Sequence, residues 1–157
     1  MSEFINSIDV LGDDAVIDSI IDRTITEYND SSISKVGDFA FYGCDKLVSV
    51  NFPSAVTIGT YSFAYCTNLT KADFASVTVI SSSAFRDSGK LTALILRNTA
   101  RVPSLLAADM FNGTPIRSGT GYIYVPAALV DSYTTNWGAY ASQIRAIEDY
   151  PDICGGE

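Results

Sequence analysis

The stretch Val36-Gly-Asp-Phe-Ala-Phe-Tyr-Gly-Cys-Asp-Lys-Leu-Val-Ser-Val-Asn-Phe-Pro53 is echoed 22 residues later by Ile58-Gly-Thr-Tyr-Ser-Phe-Ala-Tyr-Cys-Thr-Asn-Leu69. A third copy, Ile80-Ser-Ser-Ser-Ala-Phe-Arg-Asp-Ser-Gly-Lys-Leu91, follows at the same interval of 22. Laid over one another, the copies form columns: Val36, Ile58, Ile80 and Val102; Phe41, Phe63 and Phe85; Cys44, Cys66 and Ser88. Further columns hold Leu47, Leu69 and Leu91; Val50, Ala72 and Leu94; and Phe52, Phe74 and Leu96. One such unit is too small to bury its own apolar side chains, so neighbouring units must stack and share a core.

A period between about 20 and 29 residues, with Leu-type positions at i, i+3 and i+5, is the signature of a leucine-rich solenoid. The expected fold class is therefore an α/β solenoid: right-handed, with parallel strands, period 22 and helical caps at both ends. About five rungs span residues 25–126, between an N-terminal cap at 1–24 and a C-terminal cap at 127–150, with 151–157 as a flexible tail. In the first cap, Phe4, Ile8 and Leu11 fit one helical face, and Asp13 and Asp14 start a second short helix carrying Ile17, Ile20 and Ile21. A degenerate first rung has Ile25 and Tyr28 in the Leu47 and Val50 columns. Beyond Val102 the register breaks, since Phe111 arrives 26 residues after Phe85, and the inserted stretch from Pro103 to Met110 is expected to form a slightly longer helix on the convex side. Gly121-Tyr-Ile-Tyr-Val-Pro126 reads as the last strand, and 127–143 as helical. Tyr133, Trp137 and Tyr140 there either cover the last rung or make an oligomer contact.

Composition narrows the function. The chain has 157 residues, 47% of them hydrophobic and 18% charged, which fits one folded domain. A net charge of −8, with ten scattered basic residues, argues against nucleic acid or an anionic membrane as partner. No apolar run reaches the roughly 18–20 residues of a membrane helix, so no membrane insertion is expected. The N-terminus carries acid where a secretory signal carries base, so the chain as given is read as having no secretion signal. Histidine is absent, which removes the commonest general base and the usual zinc ligand. Asp87-Ser-Gly-Lys90 lacks the leading glycine of a phosphate loop, having Ala84 there, and enters a strand where such a loop enters a helix. No catalytic residue, metal ligand or cofactor is expected, and the chain is read as non-enzymatic.

Two surfaces remain as candidates for recognition. The outward face of the strands presents Val48, Thr70 and Thr92; Ser49, Lys71 and Ala93; and Asn51, Asp73 and Ile95. That face is either an inert solvated sheet or a contact patch without aromatic anchors. The second candidate is a turn edge where Phe39, Tyr42, Tyr61 and Tyr65 project, unless they pack between rungs. Cys44 and Cys66, one rung apart, serve either as small buried fillers or as partners in a disulfide; Cys154 is read as a loose exposed thiol.

These motifs resemble the bacterial-surface-protein-A-like leucine-rich repeats, the Treponema-type class. The family unit reads Ile-Gly-x-x-Ala-Phe-x-x-Cys-x-x-Leu-x-x-Val-x-Phe-Pro, and residues 36–53 match it almost throughout. Ile21-Asp-Arg-Thr-Ile-Thr-Glu27 and Tyr122-Ile-Tyr-Val-Pro126 look like its usual first and last strands, so the likeness covers 20–147. The resemblance implies a curved recognition solenoid whose partner is a protein or a cell-surface glycan, with docking to a larger particle or self-assembly as further uses. It also implies a location on a virion or cell surface, after synthesis in the cytoplasm. A short chain without a signal fits a phage- or prophage-encoded particle protein; a bacterial surface adhesion module is the alternative.

Overall fold

Twenty-two residues return the chain to its starting point one strand spacing further along, and the backbone hydrogen bonds follow from that closure. A computed structural model describes residues 6–11, 14–20, 24–107 and 109–155. In chain order its strands are β1 (Asn6–Leu11), β2 (Asp14–Ile20), β3 (Glu27–Asn29), β4 (Lys35–Val36), β5 (Ser49–Phe52) and β6 (Thr57–Ile58). They continue as β7 (Lys71–Phe74), β8 (Val79–Ile80), β9 (Ala93–Leu96), β10 (Ser104–Leu105), β11 (Tyr122–Val125) and β12 (Ile144–Ala146). Helices α1 (Pro115–Ser118), α2 (Val130–Asn136) and α3 (Pro151–Cys154) belong to the C-terminal third.

The strands make two sheets of six, ordered β1-β2-β4-β6-β8-β10 and β12-β11-β9-β7-β5-β3. From β3 to β9 pairing is parallel and at the repeat interval of 22, as in Val50 opposite Ala72 and Ala72 opposite Leu94. A third side of the coil is a ladder of turns. The N–H groups of Phe39, Phe41 and Gly43 donate to the carbonyls of Thr60, Ser62 and Ala64 at 2.9, 2.7 and 2.9 Å. The intervening N–H groups of Ala40, Tyr42 and Cys44 bond locally to Gly37, Phe39 and Phe41. Every N–H of this turn from Phe39 to Cys44 is thus satisfied without a regular helix or strand.

Inside, Phe41, Phe63, Phe85 and Phe111 stack with centroids 5.1, 5.5 and 5.8 Å apart and planes within 13°. Phe52 and Phe74 form a second stack at 6.1 Å. Tyr28 closes the N-terminal end against Phe41 and Phe52, and Trp137 and Tyr140 pack on Phe111 at the other. The cysteine column bonds as well as fills. Cys66 Sγ donates to the Phe41 carbonyl at 3.1 Å and Ser88 Oγ to the Phe63 carbonyl at 2.6 Å, so Ser replaces Cys without loss of the donor. Cys44 and Cys66 are not joined in a disulfide. Backbones also approach closely at the glycine column: a Cβ on Gly59 would lie 2.6 Å from the Asp38 nitrogen.

Three expectations are corrected. The described residues of the N-terminal cap are strands and not helices: β1 and β2 pair antiparallel, and β2 pairs in parallel with β4. The polar–apolar alternation of Ser7-Ile8-Asp9-Val10, with its β-branched residues, favours a strand over a helix. Phe4, Asp13 and Ile21, assigned to those helices, lie outside the described residues. The described residues of the insertion after Val102 form no helix either. Ser104 and Leu105 pair with Val79 and Ile80, so Leu105 continues the Ile80 column at an interval of 25 in place of Val102. The offset grows again before β11, where Tyr122 pairs with Ala93 at an interval of 29. Finally, the C-terminal tail is not loose: 151–154 is helical and Cys154 is 2% exposed.

Ser62 Oγ and the Tyr133 hydroxyl are buried without a hydrogen-bond partner among the described residues. Ser62 stands where the rungs on either side carry Ala40 and Ala84, both buried. Ser62→Ala is therefore expected to raise stability by about 1 kcal/mol. Phe63→Ala, which opens the ring stack, is expected to lose about 3–5 kcal/mol, both read from urea unfolding midpoints. Burial pushes the Tyr28 hydroxyl well above its ordinary value of 10, with Asp30 adding to the effect, and burial does the same at Tyr133. The folded chain then holds protons that the unfolded chain releases, so stability falls as pH rises past about 10. Unfolding midpoints at successive pH values test this; Tyr133→Phe should remove part of the alkaline loss.

Candidate functional site

The turn ladder imposes a left-handed backbone at fixed places in each rung. Phe39, Tyr61 and Ser83 have φ of 61°, 55° and 55°, and Gly43, Tyr65 and Asp87 have 72°, 58° and 57°. Gly43 adopts this geometry freely; for an aromatic residue it costs about 1–2 kcal/mol. The ladder enforces it, because Phe39, Tyr61 and Tyr65 each use their N–H to bond the next rung. Three aromatic side chains thus sit on strained backbone at the surface, a pattern associated with functional positions.

These rings form one cluster. Phe39 stacks on Tyr61 at 5.2 Å with planes 8° apart, Tyr42 lies 5.5 Å from Phe39 and 6.2 Å from Tyr61, and Tyr65 meets Tyr42 edge-on at 5.3 Å. Phe39 is 53% exposed, and Tyr42 and Tyr65 are each 40% exposed. The two readings of this edge are both realised, since the rings stack from rung to rung and still face solvent. Arg86 and Asp87 pair at 3.4 Å beside Tyr65, placing charge at one end of the patch.

The strand face is divided. Val48 and Thr92 are exposed, and Ser49, Asn51, Thr70, Lys71 and Asp73 are half-buried and reachable. An open groove of about 440 Å³ borders this half, with Lys46, Val48, Asn68, Thr70 and Lys90 among its walls. Lys90 Nζ donates to Asn68 Oδ1 at 2.9 Å, and Asn68 donates to the Asp45 carbonyl at 2.6 Å. Ala93 and Ile95, expected on the open face, are instead 7% and 0% exposed. They form a small cluster with Tyr124 and Cys154, flanked by Tyr122, Ile147 and Tyr150, on the side of the sheet away from the main core. Residues 150–154 cross over them. Arg97 holds this segment: it pairs with Asp73 through Nε at 2.8 Å and Nη2 at 2.9 Å, and Nη2 also donates to the Cys154 carbonyl. Burial pushes the Cys154 thiol up, against the opposing effect of Arg97 and Lys71, and it likewise raises Tyr124. The sequence carried one signal for this cover: the outward columns turn from Ser49, Asn51, Lys71 and Asp73 to Ala93, Ile95, Tyr122 and Tyr124.

Among the described residues no cluster of Cys, Asp or Glu is placed to hold a metal, and no helix is long and apolar enough to cross a membrane.

Parallel strands in repeat register, a turn ladder and a Phe–Cys–Leu interior define a leucine-rich repeat solenoid. Six copies of the BspA type leucine-rich repeat region match residues 5–118, and the chain belongs to that family. The match begins inside the segment expected to be a cap, in keeping with the parallel pairing of β2 to β4. The fold is similar to the crystal structure of a T. pallidum leucine-rich repeat protein, with a TM-score of 0.59 and 18% identity over 80% of this chain and 70% of that one. No curated protein matches the chain significantly.

Proposed function

We propose that this protein is a non-catalytic recognition module that binds a protein partner through the turn edge formed by Phe39, Tyr42, Tyr61 and Tyr65. The observation that carries this reading is the conjunction of strain and exposure. Phe39, Tyr61 and Tyr65 stand in left-handed backbone that glycine would accept freely, yet Phe39 and Tyr65 leave 53% and 40% of their surface to solvent. Tyr and Phe supply large, stiff contact area with a polar rim, the composition that anchors protein interfaces. Because Phe39 and Tyr61 each cover one face of the other, the pair offers ring edges and the Tyr61 hydroxyl in place of two open stacking faces. That favours a protein surface over a stacked sugar ring. A place on a cell surface, as an adhesion module, or on a phage-like particle is proposed from the family resemblance alone.

The test compares the wild-type protein with two variants in quantitative pull-downs from native material, followed by affinity measurement on the captured partner. Phe39→Ser with Tyr61→Ser is expected to weaken binding at least about tenfold, as loss of a hot spot does. Ser49→Ala with Asn51→Ala, on the strand face, is expected to leave binding within about twofold. The opposite pattern, with the edge variant binding normally, overturns the assignment.

A further inference from the structure

We propose that residues 150–154 form a displaceable strap, which opens while the solenoid stays folded and uncovers a second, apolar docking patch made by Ala93, Ile95 and Tyr124. This surface is separate from the aromatic edge and does not depend on it.

The strap is built to come away alone. Its backbone bonds are local: Ile153 and Cys154 donate to the Tyr150 carbonyl, and Gly155 to the Pro151 carbonyl. None of these belongs to a sheet ladder, so lifting the segment leaves both sheets paired. Its helix has four residues, too few to be stable apart from what it packs on. The side chains it covers face away from the phenylalanine stacks and form their own small cluster. Opening thus forfeits one satellite cluster and the Arg97 contact, a sub-global event. The main core, where Cys44 and Cys66 are 1% and 0% exposed, is untouched by it.

What the uncovered patch accepts is written in the strap itself. Tyr150 and Cys154 lie four residues apart and both pack on the patch, Tyr150 against Tyr124 at 5.2 Å, while Arg97 takes a main-chain carbonyl. The fitting occupant is a segment of a partner protein with the same chemistry. It carries an aromatic and a small apolar side chain on one helical turn, and a carbonyl or carboxylate for Arg97.

The three cysteines provide the test, since Cys154 lies in the strap, packed on the patch, and Cys44 and Cys66 lie in the core. In native buffer a thiol reagent should label Cys154 roughly tenfold or more faster than Cys44 and Cys66. Arg97→Ala should speed labelling of Cys154 further and leave the other two rates unchanged. Should that substitution disturb the fold and speed all three, Tyr150→Ala, which touches only the strap contact, is expected to give the selective effect. A peptide of residues 147–155 with Ser in place of Cys154, added at millimolar concentration, should capture the open form and accelerate Cys154 labelling; a scrambled peptide should not. Equal labelling rates for all three cysteines would overturn the strap. Selective labelling of Cys154 that the peptide leaves unchanged would overturn the docking patch.

Discussion

The phenyl rings of Phe41, Phe63, Phe85 and Phe111 stand one above another at 5.1–5.8 Å, a little more than the strand spacing of roughly 4.8 Å. Flat stacking at that separation requires successive rungs to be parallel and in register, because a slip of one residue would put the ring on the other side of the backbone. The same register brings Cys66 and Ser88 to the carbonyls of the Phe residues one rung below, and the Phe39, Phe41 and Gly43 amides to the rung above. Side-chain column and backbone ladder thus enforce each other.

From this constraint the surface follows. A turn tight enough to return the chain in 22 residues needs left-handed positions, and the ladder fixes where they fall. Glycine at Gly43 satisfies the geometry; Tyr65 in the same column meets the same demand under strain. Aromatic rings are thereby presented at rung spacing on rigid backbone. That is pre-organisation, which reduces the ordering cost of binding. The strand face works differently: its open half is polar and its other half is covered by the chain's own C-terminal segment, clamped by Arg97.

Much of this was legible in the residues because a repeat reports its own spacing. The Val36, Phe41, Leu47 and Phe52 columns are core positions, as the 22-residue interval implies, and Phe39 and Tyr61, which are also 22 apart, stack on each other. Legibility ended where the repeat ended. Ile8 with Leu11 and Ile17 with Ile20 keep a helix-like spacing, while the alternation of Ser7-Ile8-Asp9-Val10 favours a strand, and pairing of β2 with β4 sides with the alternation. Val102 stood at the right interval but Leu105 took the place, since the longer insertion let the chain choose which apolar residue enters the column. The strap escaped notice because Gly155 and the polar residues around it resemble a loose tail. Burial of Cys154 depends on Ala93, Ile95 and Tyr124, which are far away in sequence.

The central claim is that the rungs are energetically coupled through the ring column. The most direct measurement is a pair of double-mutant cycles using Phe→Leu, which keeps the core filled. Phe63 and Phe85, whose rings stack at 5.5 Å, should couple by about 0.5–1.5 kcal/mol. Phe41 and Phe111, separated by two intervening rings, should be additive within about 0.5 kcal/mol. Additivity at the neighbouring pair would contradict the account.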